Sequence, residues 1–139
     1  MSAWSRLGAL AFLALLALPV AAGTVAAGII AWGALGLRRV AVFGSSMRPT
    51  LLPGDHLLVL RRHRPRVGDL VVVRSPSGRE VVKRLTAISA AGVEVVGDNL
   101  DASTDSRTWG PLPKRALRGR VVYRYAPAQR AGRLPRRRA

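Results

Sequence analysis

With 139 residues, 23 Lys+Arg against 7 Asp+Glu and a net charge of +16, the chain has room for one modest domain and a large cationic excess. The absence of cysteine excludes a disulfide framework and a thiolate metal site. Only His56 and His63 could offer imidazole, with no carboxylate cluster at ligand spacing, so no metal and no other cofactor is expected. The charge itself points to nucleic acid or to anionic lipid. The arginines are scattered through strands and turns apart from Arg136, Arg137 and Arg138, and few aromatics interleave with them. Nucleic acid is therefore not expected as a partner. Anionic headgroups are the better counter-charge beside a membrane segment, and a high-GC codon bias explains the arginine count equally well.

In chain order, the first element is apolar. From Leu7 to Leu37 no residue is charged. A spanning helix needs about 20 apolar residues, and at ~1.5 Å per residue this run exceeds a ~30 Å hydrocarbon core yet is too short for two spans and a turn. It reads as one tilted or bent transmembrane helix, with Pro19, Gly23 and Gly28 as places to bend. Leu7 to Ala22 also fits the apolar core of a cleavable secretory signal, but continuation to Leu37 favours an uncleaved anchor. Arg6 precedes the run while Arg38 and Arg39 follow it, so the positive-inside rule weakly places the remainder on the cytoplasmic side.

Beyond the anchor segment, 1–37, the reading is a β-rich domain over 38–128 and a basic tail over 129–139, frayed from Ala131 onward. Arg39 to Phe43 predicts a first strand, ended by a turn at Gly44-Ser45, and Pro49 cannot continue a ladder. Pro53-Gly54-Asp55 is a turn before a strand at His56–Leu60. A basic loop over Arg61–Arg66 and a turn at Gly68-Asp69 lead into Leu70–Val73. Ser75-Pro76-Ser77-Gly78 is a hairpin turn, and Glu80–Leu85 returns as a strand. Ala87–Ala91 and Val93–Val96 form a further pair around Gly92. Gly97 to Pro113 is a polar loop, and Gly119–Tyr125 is a final alternating strand. Short strands at close turn spacing predict an all-β barrel or sandwich with no soluble helix of consequence.

Two residues stand out for chemistry. Ser46 opens Ser46-Met47-Arg48-Pro49-Thr50 just after a tight turn. Lys83 has aliphatic residues on both sides, and it is one of only two lysines, with Lys114, in a chain that writes every other cation as arginine. Arginine cannot deprotonate in proteins. Lysine can, when burial disfavours its ammonium form. A Ser/Lys pair is a variant of the serine nucleophile and its base. Taken alone, Lys83 reads more simply as an edge-strand lysine snorkelling to water. Beside the serine motif it reads as a base.

Three segments in order resemble type I signal peptidases, the membrane-anchored Ser/Lys proteases. Gly44-Ser45-Ser46-Met47-Arg48-Pro49-Thr50-Leu51 is similar to the nucleophile box, and Val81-Val82-Lys83-Arg84 to the lysine box. Gly97-Asp98-Asn99 with Ser103-Thr104-Asp105-Ser106-Arg107 is similar to the third box. The resemblance implies a small signal-peptidase-like β-barrel or sandwich behind an N-terminal transmembrane helix, held as a single-pass protein of the cell membrane with its catalytic domain on the extracytoplasmic side. It implies Ser46 as nucleophile, Lys83 as general base and Ser103 as the group that orients the lysine. Asp105 and Arg107 would form a structural ion pair, and Gly97, Asp98 and Asn99 would shape the loop; by composition alone the same loop is an Asx-rich surface turn. Where some family members carry a serine that helps bind the oxyanion, this chain has Gly44, as other members do. The gap between Lys83 and Gly97 leaves no room for an inserted second domain. The chain thus resembles the compact branch, which includes Gram-positive-type signal peptidases, mitochondrial inner-membrane proteases and actinobacterial proteases tied to nickel superoxide dismutase maturation.

The implied activity is cleavage of signal peptides or other leader segments from preproteins after small residues. An extended substrate can add to an exposed strand edge. Met47, Leu51, Val81 and Val82 are candidate pocket linings and equally good core residues. The short tether from Leu37 to Ser46 would hold the site near the bilayer. Two rivals fit part of the pattern. A LexA-like self-cleaving repressor shares the Ser-Met nucleophile and strand lysine, but lacks the anchor and third box and carries a helix-turn-helix absent here. A non-enzymatic basic membrane adaptor would tolerate loss of Ser46.

Overall fold

A computed structural model of the protein describes residues 36–137. The expected membrane span lies outside these residues except at its end, where Leu37 opens the first strand. Among the described residues no helix is long and apolar enough to cross a membrane.

The strands are β1 Leu37–Ala41, β2 His56–Leu60, β3 Leu70–Arg74, β4 Glu80–Ile88, β5 Val93–Val96 and β6 Leu117–Ala126. A four-residue helix, α1, covers Ser106–Trp109. All pairings are antiparallel, within one sheet ordered β1-β2-β6-β3-β4-β5. The edges β1 and β5 do not pair, so the sheet is open, and the expected closed barrel or two-sheet sandwich is not formed. Alternation and turn spacing specify strands; they do not specify closure. The outer edge of β5 is instead covered by the following loop, where Val93 and Leu112 exchange backbone hydrogen bonds of 2.8 Å, which removes one exposed edge.

β3 explains where the core sits. Its four aliphatics are all buried. Leu70 and Val72 join a cluster with Val42, Met47, Leu51, Leu57, Val59, Val82 and Val121. Val71 and Val73 join a second cluster with Leu85, Val93, Val95, Leu112 and Ala116. Successive strand residues point to opposite faces, so both faces of the sheet are covered at β3, which is why it reads as an unbroken apolar run rather than an alternating one. β6 lies between β2 and β3 although it is last in sequence. It joins the β1–β2 hairpin to the β3–β4–β5 meander.

The tail expected to fray is docked. Gly132 pairs with Arg124, Leu134 packs against the first cluster and Arg136 Nε donates to the Val67 carbonyl at 3.1 Å. Arg130 donates to the buried Asp55 carboxylate at 3.0 Å, and Arg124 reaches the same group at 3.3 Å. Fraying is the natural expectation for an arginine-rich tail whose carboxylate partners lie far back in sequence. Arg130→Ala is expected to cost about 1–2 kcal/mol, at the low end for a charged hydrogen bond because Arg130 is partly exposed. Tm, followed by circular dichroism, should then fall by at least ~4 °C in a domain of this size.

Candidate active site

Ser46 lies in the connection between β1 and β2. The neck of this excursion is closed by Val42 N–H to Asp55 O at 2.8 Å and Gly54 N–H to Val42 O at 2.9 Å. The Asp55 carboxylate accepts from Leu52 N–H at 2.9 Å. Met47 and Leu51 are buried in the first core cluster, so apolar residues pin the loop to the core. Leu51 is core and does not line the groove beside Ser46. Met47, Val81 and Val82 do, together with Val40 and Val42, in a groove of about 580 Å³. Phe43, at 88 % exposure, stands at its rim, a feature the sequence reading left unassigned. Gly44 has φ +79°, and a Cβ there would meet nothing within 4 Å. Backbone conformation rather than space therefore calls for glycine, since L side chains rarely adopt that φ.

Lys83 lies on β4 opposite Val71 of β3, on the same face as Leu85, and is only 3 % exposed. Its Nζ donates to Ser103 Oγ at 2.8 Å, and Ser103 Oγ donates to Asp105 Oδ2 at 2.6 Å. An ionised carboxylate only accepts. The Ser103 proton is thus committed to Asp105, and the Ser103 oxygen serves Lys83 as an acceptor. This arrangement leaves the lone pair of a neutral lysine free to face elsewhere. Burial pushes the Lys83 amine below the ordinary lysine value; the Asp105 carboxylate opposes that shift and the Arg107 cation adds to it. Burial is the cause expected from the aliphatic neighbours of Lys83; the opposing carboxylate is not legible there.

Asp105 is fully buried. Burial alone would raise its pKa, but the bonds it accepts outweigh that and hold it well below the usual carboxylate range. They come from Arg107 Nε at 2.9 Å, Gly97 N–H at 2.9 Å, Ser103 Oγ and Arg107 N–H. Asp105 also caps α1, which sets the direction of Arg107. Arg107 and Asp105 are therefore the pair expected from the sequence, and the same carboxylate additionally holds Ser103.

The third box also clamps the nucleophile loop. Asn99 N–H donates to Ser46 O at 2.9 Å, and Asn99 Nδ2 to Ser45 O at 3.1 Å. Thr50 Oγ1 donates to Asp98 Oδ2 at 2.5 Å. Asp98 in turn forms a bidentate pair with Arg84, Nε at 2.7 Å and Nη2 at 2.6 Å, with both side chains buried. Asp98 is thus more than a loop-shaping residue, and Arg84, the neighbour of the lysine, was missed. A dipeptide reading cannot show that Lys83 and Arg84 point to opposite faces and serve different partners. Gly97 is where the parts meet: a Cβ there would lie 2.2 Å from Ser103 Oγ and 2.6 Å from Ser46 O. Lys83, Ser103, Asp105 and Arg107 form one bonded chain, and Ser46 adjoins it through its backbone. Among the described residues no hydrogen bond is made by the Ser46 hydroxyl.

Compared with known proteins, residues 12–96 and 88–126 match the model of the family described as signal peptidase, peptidase S26. The chain belongs to this family. It is thus a serine peptidase of the kind that removes leader peptides. It is 35% identical over 117 residues to the mitochondrial inner membrane protease subunit 1 of Xenopus tropicalis, covering 66% of this chain and 70% of that protein. It is 36% identical over 124 residues to the mitochondrial ATP-independent inner membrane protease subunit 1a of Arabidopsis thaliana, covering 67% and 73%. It is 29% identical over 139 aligned positions to the probable signal peptidase I-1 of Synechocystis, covering 64% and 71%. This family member carries its serine, its buried lysine and its third box on three separate loops and strands of one small sheet.

Proposed function

We propose that the protein is a membrane-anchored endopeptidase in which Ser46 is the nucleophile and Lys83 the general base, cleaving leader segments from preproteins after small residues. The observation that carries this reading is the buried Lys83 amine held by Ser103, whose own proton is committed to Asp105. Ser46 Oγ attacks the scissile carbonyl while Lys83 Nζ takes its proton. The resulting ammonium returns that proton to the leaving amine, and the acyl group stays on Ser46. Water, deprotonated by the same amine, then releases the acyl group and regenerates the hydroxyl. The Ser46 backbone N–H is the natural donor to the oxyanion. An extended substrate fits the groove between the end of β1 and the start of β4, where β4 residues before Arg84 have no strand partner among the described residues on the side away from β3. Val40, Val42 and Val82 leave it shallow and apolar, which suits small side chains. The apolar run from Leu7 to Leu37 supports a single-pass anchor, with the catalytic domain on the extracytoplasmic side where leader segments emerge.

The test is turnover of a preprotein by purified full-length protein in detergent, across pH. Wild-type kcat/KM should rise with pH through an apparent pKa below the ordinary lysine value of ~10.4, because only the neutral amine accepts the serine proton and burial makes it neutral at lower pH. Ser46→Ala should abolish cleavage while retaining the melting temperature. Turnover by folded Ser46→Ala, or a pH profile flat through this range, refutes the assignment. Ser103→Ala should lower kcat more than it raises KM, since it removes the acceptor that orients Lys83.

A further inference from the structure

A second cleft, of about 550 Å³, lies away from the catalytic groove and is lined by Arg74, Arg115, Arg118, Trp109, Leu112 and Pro113 among others. No acidic residue lines it. The chain has 7 carboxylate side chains, and those in ion pairs among the described residues, Asp55, Asp69, Glu80, Asp98 and Asp105, are matched to other arginines. Glu80, which sits opposite Arg74 in the β3–β4 register, is already bonded to Arg38 through both oxygens. The Nε atoms of Arg118 and Arg120 are buried without a well-formed hydrogen bond. Arg120 Nε lies 3.1 Å from Asp69 and is ion-paired. Arg118 Nε is left without an acceptor. Arg115 has no carboxylate partner among the described residues, Arg74 and Arg118 share only the field of Glu80, which is bonded to Arg38, and Arg118 holds a buried donor unmet; together they describe a cationic site with a place for an anion.

We propose that this cleft binds the phosphate of an anionic phospholipid headgroup, with Arg74, Arg115 and Arg118 as its donors and Trp109 and the proline-lined wall against the glycerol and first acyl carbons. Guanidinium forks match the oxygens of a phosphodiester, which accepts from several directions at once. An indole with apolar carbon beside the cations suits an amphiphile at a membrane–water boundary better than it suits a free anion.

The test uses the full-length chain in neutral detergent. Trp4→Phe and Trp32→Phe leave Trp109 as the reporter of the cleft. Titration with dihexanoyl phosphatidylglycerol should change Trp109 fluorescence saturably, and dihexanoyl phosphatidylcholine should bind at least tenfold more weakly. Arg118→Gln should weaken phosphatidylglycerol about tenfold. Because Arg118 is partly buried and its loss could disturb folding, Arg115→Gln, on an exposed side chain, decides alone and should weaken binding at least threefold. Arg64→Gln removes the same charge from the basic loop outside this cleft and should change nothing. If Arg64→Gln is as damaging as Arg115→Gln, the effect is diffuse charge and the site is refuted. Inorganic phosphate saturating as tightly as the lipid would assign a free-anion site, and tighter binding of a glutamate-rich peptide an acidic-protein site. Either result overturns the lipid assignment, as does no fluorescence change.

Discussion

Lys83→Arg is expected to reduce preprotein turnover by about 10³-fold or more while the purified variant keeps a cooperative thermal transition. General-base catalysis by a positioned side chain accounts for about 10²–10⁴ in rate, and an arginine at this site keeps the charge while being unable to accept a proton. The larger guanidinium must also enter a space where Lys83 is 3 % exposed, so Lys83→Met is the companion variant: it keeps the length, removes the charge, and should be equally inactive and at least as stable, because an ammonium no longer has to be buried. Single-turnover measurements should show no acyl-enzyme burst in either case. If Lys83→Arg turns over within tenfold of wild type, Lys83 is not the base, whatever the fate of Ser46.

Asp98→Ala should produce the largest loss of stability. It strands Arg84, whose side chain is 8 % exposed, without its carboxylate, and leaves Thr50 Oγ1 without its acceptor. Breaking a buried pair from one side costs about 3–5 kcal/mol, which in a domain of this size lowers Tm by more than ~12 °C. Replacing both partners, as Arg84→Met with Asp98→Leu, should recover much of that loss, because no charge then remains buried. Acid should reveal the same pair. Burial opposes ionisation of Asp98, but the bonds from Arg84 and Thr50 outweigh it and hold its pKa below the ordinary value. A depressed carboxylate contributes stability in full above its unfolded pKa of about 3.9, and that contribution is lost as pH falls through the folded value. Wild type should therefore lose stability below about pH 4 more steeply than Asp98→Ala. Parallel acid unfolding curves would show that Asp98 is not ionised in the fold.

The strands at His56–Leu60 and Val93–Val96 were legible to the residue, because turn residues bound them tightly on both sides. β4 runs on to Ile88, past the expected end at Leu85, because from Arg84 onward it pairs with β5 on the side away from β3, across a register shift between Leu85 and Ala87. Lys83, Ser103, Asp105 and Arg107 were legible because each belongs to a short contiguous motif, and the structure brings these four together. What could not be read were pairings between distant segments. Asp55 with Arg124 and Arg130, Asp69 with Arg120 and Arg136, and Asp98 with Arg84 all look like surface charge locally. Leu51 looked like a lining residue by its nearness to Ser46, yet one helical turn, with Leu51 N–H on Met47 O at 2.9 Å, carries it into the core. Period-two alternation marked β6 as a strand but was silent on its neighbours, and so on the open sheet.

The position of β6 has a consequence for how the protein is made. Among the described residues, the hairpin that bears Ser46 and the meander that bears Lys83 are joined in the sheet only through β6, which follows both of them in sequence. At about 5–20 residues per second, the serine emerges several seconds before the strand that brings its half of the sheet alongside the lysine's. On the Ser/Lys reading, the bonds from Asn99 and Asp98 can tie the serine loop to the third box early, but the sheet that fixes the serine's half against the lysine's is complete only once Leu117–Ala126 is in place.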